Sequence, residues 1–320
     1  AKNVADFSKS GYHNESKGII VGVTCYSPHT RKLEFMDWDV VIIDEAGQLG
    51  IPLAVAAMVK AEKYIFIGDH KQLPPIISDK NTDPTFSKSI FEHLFQFSEG
   101  TMLNVTYRMN GAINRFPSKY FYGEELLPHS SNAYQLLSLD NLFEKHQEVL
   151  DINLPEVLVC HTESSVSSRS EHEAALVADY VKQYLLKGVN PAEIAIITPF
   201  RAQVRQINKV LATLNLDEAI SSKIFVDTIE RIQGQERDII IYSLATSHPE
   251  QAMQRINFFF NLNRLNVALT RAKKKRIVIA NKNLFKLHSA DPIVNENISV
   301  FNAFYKESHK VEERAEIDYQ

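Results

Sequence analysis

Short β-branched runs alternate with amphipathic segments along this chain, and this alternation limits its possible folds more than any other feature of the sequence. The runs lie at residues 18–24, 40–44, 64–69, 156–160, 193–198, 224–228, 238–243 and 276–281. Between some of them, at 171–188 and 201–215, apolar residues recur every three or four positions, as in helices with one buried face. Strands that alternate with helices predict parallel sheets with flanking helices, so we expect an α/β fold.

The length of the chain favours two domains, because 320 residues exceed what one hydrophobic core usually serves. We place a first domain at residues 1–100, a second at 101–310 and a charged tail at 311–320. Residues 125–156 are less hydropathic than the strands on either side and are interpreted as a connecting segment or insertion. The mostly charged stretch 306–320 predicts a solvated helix or a frayed end.

Composition and cysteine usage exclude several classes of protein. With 44% hydrophobic residues, 23% charged residues and a net charge of −4, the chain is typical of globular proteins and lacks an overall nucleic-acid signature. Cys25 and Cys160 are the only cysteines, which argues against a disulfide framework or thiolate metal site and fits a reducing, cytoplasmic setting. No run approaches about 18 apolar residues, so we expect no membrane partner.

Two adjacent carboxylates follow one of the apolar runs. The four residues 40–43 are all Val or Ile and lead directly into Asp44 and Glu45, so the strand reads as buried on both faces. Ligands in open α/β folds lie beyond the carboxyl ends of parallel strands, which favours a metal ion or a reacting group here. Asp44 is equally suited to cap a helix that begins near Gly47. The local sequence leaves both interpretations open.

A second strand end carries a more specific pattern, "IFIGDHKQLPPII", at residues 65–77. Gly68 allows a tight exit from the strand, and Asp69 and Gln72 project from the turn that follows. The two prolines at 74 and 75 stiffen the backbone behind them. This combination is hard to explain as ordinary loop chemistry.

Together these strings resemble superfamily 1 helicases of the subgroup that includes the nonsense-mediated decay helicases. "IIDEAGQ" and "IFIGDHKQLPP" are similar to motifs II and III, and "LNVTYRMN" (103–110) is similar to motif IV. "IITPFRAQV" (196–204) resembles a motif that faces nucleic acid, "VDTIERIQGQERDIIIYSLA" (226–245) resembles motif V, and "NLNRLNVALTRAKKKRIVIAN" (261–281) resembles motif VI. The resemblance implies two tandem RecA-like units, the first incomplete, with ATP bound in the cleft between them.

Transfer of a γ-phosphoryl group to water requires a Mg²⁺ ligand, a carboxylate that orients the water, and cations that stabilise developing charge. Asp44 suits the metal role and Glu45 the role of catalytic base, while Gln72 is placed to sense the γ-phosphate. Arg108 and Arg271 suit the cationic role, because a planar guanidinium grips phosphate oxygens with two donors. A lone arginine is more often part of a surface ion pair, but the strings "YRM" and "ALTRA" favour the catalytic interpretation.

The resemblance also implies a set of nucleotide contacts, namely Asp69, Tyr107, Gly234 and Glu236. Gly234 would let the backbone approach the nucleotide closely, although Gln233 and Gly234 also read as a simple turn before the next strand. Tyr107 could stack on the adenine or pack in the core.

Residues that suit contact with a nucleic-acid strand follow three strands. They offer hydroxyls, an arginine, an amide and one aromatic face to a strand backbone. The candidates are Thr24, Thr198, Pro199, Phe200, Arg201, Gln203 and Thr228. Four basic residues at 273–276 also invite a phosphate-binding interpretation, but the dipole of a preceding helix explains them more simply.

The family also requires the phosphate-binding loop G-x-x-x-x-G-K-[ST], and these 320 residues contain no Gly-Lys pair. We therefore expect the C-terminal part of an ATP- and Mg²⁺-dependent helicase or translocase that acts on single-stranded DNA or RNA. Its partner would be the N-terminal remainder of the protein, which carries the loop, and the isolated chain would be inactive. The alternative is a catalytically silent nucleic-acid-binding or regulatory module derived from a helicase.

Overall fold

The computed structural model describes residues 20–30, 33, 37–59, 61–76, 88–163, 168–246, 252–253 and 255–313. The chain divides after Gly100 into two compact units. Residues 18–19 of the first predicted strand, residue 77 of the Gly-Asp motif and residues 314–320 of the predicted tail lie outside the described residues. Among the described residues, no helix is long and apolar enough to cross a membrane.

In the first unit, the described residues form a parallel pair of strands, β1 (Trp38–Ile43) and β2 (Ala61–Phe66), joined by helix α1 (Ile51–Met58). Helix α2 (Ile90–Phe95) begins at Ser89, whose hydroxyl accepts the Glu92 N–H over 3.0 Å. The core of this unit contains Ile43, Ala46, Ala54 and Ile90.

Two expectations for the first unit are wrong. Residues 20–24 are not in a strand; they lead into turns that end in a short 3₁₀ helix, Ser27–His29. Strand β1 is not buried on both faces, because Val40 is 42% and Ile42 61% exposed. The physical reason is that burial of both faces requires an element on each, and the described elements cover only one.

The second unit is built on a six-stranded sheet in which every neighbouring pair is parallel. Its strands are β5 (Glu156–His161), β6 (Ile194–Thr198), β7 (Phe225–Thr228), β8 (Arg237–Ser243), β9 (Ala272–Asn281) and β10 (Lys310–Glu312), in the spatial order β10-β5-β9-β8-β6-β7. A separate small pair, β3 (Val105–Thr106) and β4 (Leu127–Pro128), is also parallel. These sheets and the helices below confirm the predicted α/β class.

Four helices of the second unit begin at side-chain caps of the types that general rules of helix termini predict. Asn110, Ser170, Asn261 and Asp291 cap α3 (Gly111–Phe121), α5 (Glu171–Leu186), α10 (Leu262–Leu269) and α11 (Pro292–Glu307). Gly188 adopts φ 78° just beyond α5, the left-handed conformation that favours glycine after a helix end. The other helices are α4 (Gln147–Leu150), α6 (Arg201–Ala212), α7 (Glu218–Ser221), α8 (Ile229–Ile232) and α9 (Ile256–Phe259).

The prediction of a solvated helix or frayed end for 306–320 is wrong at Lys310–Glu312, which forms the edge strand β10 beside β5. Val311 is only 7% exposed and packs in the core of the second unit. One buried apolar residue is enough to place a short, charged segment against a sheet that offers an open edge. The predicted connecting segment 125–156 is mostly irregular, with β4 and α4 as its regular elements.

Candidate nucleotide site and nucleic-acid surface

Asp44 and Glu45 lie at the carboxyl end of β1, and both are exposed. Asp44 Oδ1 accepts the N–H of Glu45 over 2.9 Å. A short 3₁₀ helix does begin near Gly47, at Ala46–Gln48, but its N-cap is Glu45 and no side chain caps it, so the helix-cap interpretation of Asp44 is wrong. Glu45 has φ 53°, a left-handed conformation that is uncommon for residues other than glycine. The Gln48 amide donates to Glu45 Oε2 over 2.8 Å and orients this carboxylate.

Two glycines let the loop after β1 approach the loop after β2. A Cβ atom on Gly47 would lie 2.7 Å from the carbonyl oxygen of Asp69, and one on Gly68 would lie 2.7 Å from the Gly47 nitrogen. Backbone hydrogen bonds join the same two loops, from Ile67 to Ile43 (2.9 Å) and from Ala46 to Ile67 (2.8 Å). The Asp44–Glu45 segment is therefore held directly against the Gly68–Asp69 segment.

Asp69 organises the second loop. Its Oδ1 accepts the Lys71 N–H over 2.8 Å, and its Oδ2 accepts the side-chain amide of Gln72 over 2.9 Å. The Gln72 backbone N–H also donates to the Asp69 carbonyl over 3.2 Å. Asp69 therefore positions Gln72, a contact that the Gly-Asp-turn-Gln spacing did not reveal.

The donor set at the end of β1 fits a nucleotide-bound Mg²⁺. Within the described ranges, no group of three or more His, Cys, Asp or Glu side chains could hold a metal ion alone. Mg²⁺ bound with a nucleotide needs only one or two protein carboxylates, since waters and phosphate oxygens supply the other ligands. The exposed carboxylate of Asp44, with only Oδ1 engaged by a described residue, meets that requirement.

In the second unit, Arg108 pairs with Glu236, and both were predicted to contact the nucleotide. Arg108 Nε donates to Glu236 Oε2 over 2.7 Å, and a terminal guanidinium nitrogen donates to the Thr270 carbonyl over 3.2 Å. Their side chains are 28% and 46% exposed. Because Thr270 is the sequence neighbour of Arg271, the structure brings three of the predicted residues to one region.

Arg271 is 2% exposed, which differs from the open cationic group expected from sequence. Its Nε donates to the Val267 carbonyl over 3.1 Å, and a terminal nitrogen donates to the Thr270 hydroxyl over 3.0 Å. The Val267 carbonyl, in the last turn of α10, also accepts the Thr270 N–H over 3.3 Å, so the guanidinium is a further donor to it.

Tyr107 is exposed, and Gly234 lies in a turn. Tyr107 is 70% exposed and stacks on His129 at a centroid distance of 4.3 Å, so the core interpretation is wrong. Gly234 adopts φ 79° in a turn, and the space where a Cβ would stand is open. Glycine is therefore required at 234 by backbone conformation, and not by a close neighbour in the chain.

Most of the predicted nucleic-acid contacts are buried. Phe200 is 7% exposed and stacks on Phe258 at 5.6 Å, so it offers no open aromatic face. The other buried candidates are Thr198, Pro199, Gln203 and Thr228. Thr24 and Arg201 are exposed. The expectation of presentation at the surface is wrong for the buried five, because strand ends and first helical turns here pack against neighbouring loops.

The basic residues at 273–276 lie in β9 and not at a helix end, so the helix-dipole explanation is wrong. Asp238 pairs with Lys273 (3.0 Å) and Lys274 (2.8 Å). Lys275 is fully buried and donates to the carbonyls of residues 151 and 154, and Arg276 pairs with Glu156. The charges of this segment are therefore engaged within the chain instead of forming a phosphate-binding surface.

Sequence reasoning missed a basic stripe on α6. Arg201, Arg205 and Lys209 are spaced by four residues and all exposed, and α6 contains no acidic residue. None of the three pairs with a carboxylate among the residues that the structure describes. The i, i+4, i+8 spacing of cations after "TPF" was the available signal.

Comparison with protein families matches most of the chain. Residues 86–283 match a family model described as AAA domain, and residues 14–80 match a second model of the same description.

Several curated proteins are similar to the chain. An uncharacterized ATP-dependent helicase of Methanocaldococcus jannaschii is 34% identical over 87% of this chain and 40% of its own length. DNA polymerase alpha-associated DNA helicase A of Schizosaccharomyces pombe is 31% identical over 89% of this chain and 44% of its own. A regulator of nonsense transcripts 1 homolog of Neurospora crassa is 32% identical over 84% of this chain and 25% of its own length. The chain therefore spans less than half the length of these relatives.

The solved structure of an arterivirus helicase, nonstructural protein 10, aligns with 76% of this chain at 14% sequence identity. The alignment covers 39% of the viral chain. The TM-score is 0.38, which is too low to bear on the assignment.

Proposed function

Because this chain belongs to the AAA domain family of superfamily 1 helicases, as its motifs predicted, we propose that it is the C-terminal part of an ATP-dependent helicase or translocase on single-stranded nucleic acid. The observation that carries the proposal is the placement of two carboxylates, Asp44 and Glu45, beside the Asp69–Gln72 turn at the carboxyl ends of two parallel strands. In folds of this class that edge is where ligands bind.

Each group has a role that its geometry supports. Asp44 would hold Mg²⁺, which neutralises charge on the phosphate oxygens. Glu45, oriented by Gln48, would accept a proton from the attacking water. Gln72, held by Asp69, would report the presence of the γ-phosphate through its amide.

The second unit would supply cations and adenine contacts. Arg108 suits a phosphate because its side chain is partly exposed and its present partner, Glu236, is itself a proposed nucleotide contact. Arg271 would have to exchange its bond to the Val267 carbonyl for a phosphate oxygen. Tyr107 offers an exposed ring for stacking on the base.

Two observations support action as part of a longer protein. The sequence contains no Gly-Lys pair and hence no phosphate-binding loop of the required type. In the first unit, Val40, Ile42, Ile65 and Ile67 are 42–61% exposed, an apolar sheet face of the kind that neighbouring elements cover in parallel sheets. We propose that the rest of the protein supplies the loop.

The α6 stripe supports a nucleic-acid partner. Its three exposed cations pair with no described carboxylate, whereas the basic run at 273–276 is engaged within the chain. Phosphate groups are the sequence-independent partner for such a surface, and single strands are what a translocase moves along.

The test is steady-state ATP hydrolysis by the full-length protein and by the 320-residue chain, each with and without single-stranded DNA or RNA. We expect turnover stimulated by single strands in the full-length protein and none in the chain alone. Turnover by the chain alone would contradict the need for an external phosphate loop. Oligonucleotide binding by the full-length protein without any turnover would support the silent-module alternative.

A further inference from the structure

A buried polar cluster joins residues at or just beyond the ends of three strands of the second unit, β5, β6 and β8. It consists of His161 at the end of β5, Ser170 and Glu173 at the start of α5, Gln203 in the first turn of α6, and Ser243 at the end of β8. All of these side chains are 3% exposed or less. We call this set the edge clamp.

Glu173 is the centre of the edge clamp. Its Oε2 accepts from the Ser243 hydroxyl (2.6 Å) and from the Ala245 N–H (3.0 Å), and its Oε1 lies 3.1 Å from His161 Nε2. Ala245 has φ 58°, a left-handed conformation disfavoured for alanine. The carboxylate thus accepts the N–H of a strained residue and holds Ala245, just beyond β8, in this conformation.

Gln203 is the second fixed point of the edge clamp. Its Oε1 accepts the Ser170 N–H over 2.8 Å, and its Nε2 donates to the Ser170 carbonyl (3.1 Å) and the Ser243 hydroxyl (3.0 Å). One side chain therefore satisfies both backbone groups of Ser170. This fixes Ser170, the residue before α5, relative to the start of α6.

A buried carboxylate carries a desolvation penalty of several kcal/mol, which its hydrogen-bond partners must offset. Apolar residues of similar size often stabilise a core as well or better. A cluster of strained and buried polar groups at a ligand-binding edge is instead typical of sites whose loop geometry matters.

Two exposed arginines lie within two residues, in the sequence, of members of the edge clamp. Arg169 precedes Ser170, and Arg201 lies two residues before Gln203 on the same helical turn. Neither pairs with a carboxylate within the described part of the chain. The Gln203–Ser170 bonds therefore tie together the backbones that carry these two cations.

We propose that Arg169 binds a phosphate of the nucleic-acid strand together with Arg201, and that Gln203 and Glu173 are positioning residues that fix the two arginines at this edge. The proposal rests on the proposed function, because its ligand is the phosphate backbone of a single strand. It assigns to Gln203 a buried positioning role in place of the strand contact expected from sequence.

The experiment measures binding of labelled oligo(dT) and oligo(U) of equal length to the full-length protein over a range of salt concentrations. Removing one phosphate-binding cation makes the slope of log K against log salt shallower by about 0.7 for single strands. We expect Arg169→Ala to show that change. Lys286→Ala removes an exposed lysine at the end of another segment, Lys282–Lys286, and serves as the control.

The positioning roles are tested with uncharged, buried replacements. Gln203→Met and Glu173→Met leave both arginines in place, so a purely structural role predicts a change in melting temperature with an unchanged salt slope. We expect a shallower slope in both. Glu173→Gln should restore the wild-type slope, since its amide oxygen can accept from Ser243 and Ala245 as before.

An unchanged slope in Arg169→Ala overturns the inference, and it does so even where a Met variant fails to fold. A wild-type slope in folded Gln203→Met and Glu173→Met overturns the positioning roles. Failure of the proposed function is distinguishable. If the protein does not act on single strands, the wild-type protein itself binds neither oligonucleotide, and if it is not an ATPase, it binds them without ATP turnover while the slopes of the variants still test the arginines.

Discussion

Arg108 donates to Glu236 over 2.7 Å across a sequence separation of 128 residues. Two groups that the motifs assign to a nucleotide therefore neutralise each other in this structure. Binding would require Arg108 to exchange a carboxylate for a phosphate, which keeps its charge paired throughout.

Arg108→Ala in the full-length protein should lower nucleic-acid-stimulated ATP turnover by about 10²-fold or more, because the variant lacks a cation that stabilises the transferring phosphate. Its effect on the free energy of unfolding should stay within about 1 kcal/mol, since the ion pair is partly exposed. Lys119→Ala breaks a comparable exposed pair with Glu307 away from the site and should leave turnover unchanged. Equal ATP turnover in the two variants would show that Arg108 does not contribute to hydrolysis.

Glu45→Gln should reduce ATP turnover by about 10²–10⁴-fold, the range for loss of a general base. Binding of Mg²⁺-ATP should remain near normal because Asp44 is intact. Turnover and nucleotide affinity are measured on the same sample, with Glu62→Gln, an exposed change in β2, as the control. Near-normal turnover would show that Glu45 has no catalytic role.

Gly47→Ala should destabilise the first unit by about 1–3 kcal/mol, the usual cost of overpacking. The added Cβ would meet the Asp69 carbonyl oxygen at 2.7 Å, and backbone cannot rotate away as a side chain can. Gly50→Ala is the matched control, because nothing lies within 4 Å of the added atom. Equal unfolding free energies for the two variants would contradict the close approach of the two loops.

Arg205→Ala should make the salt slope of single-strand binding shallower by about 0.7, with similar effects on DNA and RNA. Lys306→Ala, an exposed change on α11, is the control. If both variants keep the wild-type slope, the α6 stripe is only a solvated helix face.

His146 predicts a pH dependence of stability in the second unit. Burial opposes its protonation, but the carboxylates of Asp179 and Glu313 prevail and raise the pKa of His146 to about 9 from 6.5. Because the folded pKa lies above the unfolded value, the stabilisation is fully present below pH 6.5 and is lost as the pH rises through about 9. Glu313 follows β10 directly, so the pair helps to hold that edge strand.

His146→Asn should therefore flatten the decline in unfolding free energy between pH 6.5 and 9, by on the order of 1 kcal/mol after solvent screening. Asparagine tolerates the left-handed conformation at 146, where φ is 56°, so backbone strain is not added. His288→Asn, on an exposed residue, is the control. A wild-type decline in the His146 variant would show that the ion pair does not contribute.

The sequence by itself determined the α/β class, five of the six strands of the large sheet in the second unit, and the positions of the strand-end acids. These features are local, because each depends on a short stretch of sequence. They are the β-branched runs, the helical periodicity and the carboxylates directly after a strand. It also determined the family, because six motifs in a set order are a linear property of the chain.

Only the tertiary structure decided which of the motif residues are open to a ligand. Phe200 and Gln203 are buried and Tyr107 is exposed, although the local strings suggested the reverse for the first two and left the third open. The edge strand Lys310–Glu312 and the Arg108–Glu236 pair likewise depend on partners more than a hundred residues away. Burial and pairing are set by how distant segments pack, and no local pattern carries that information.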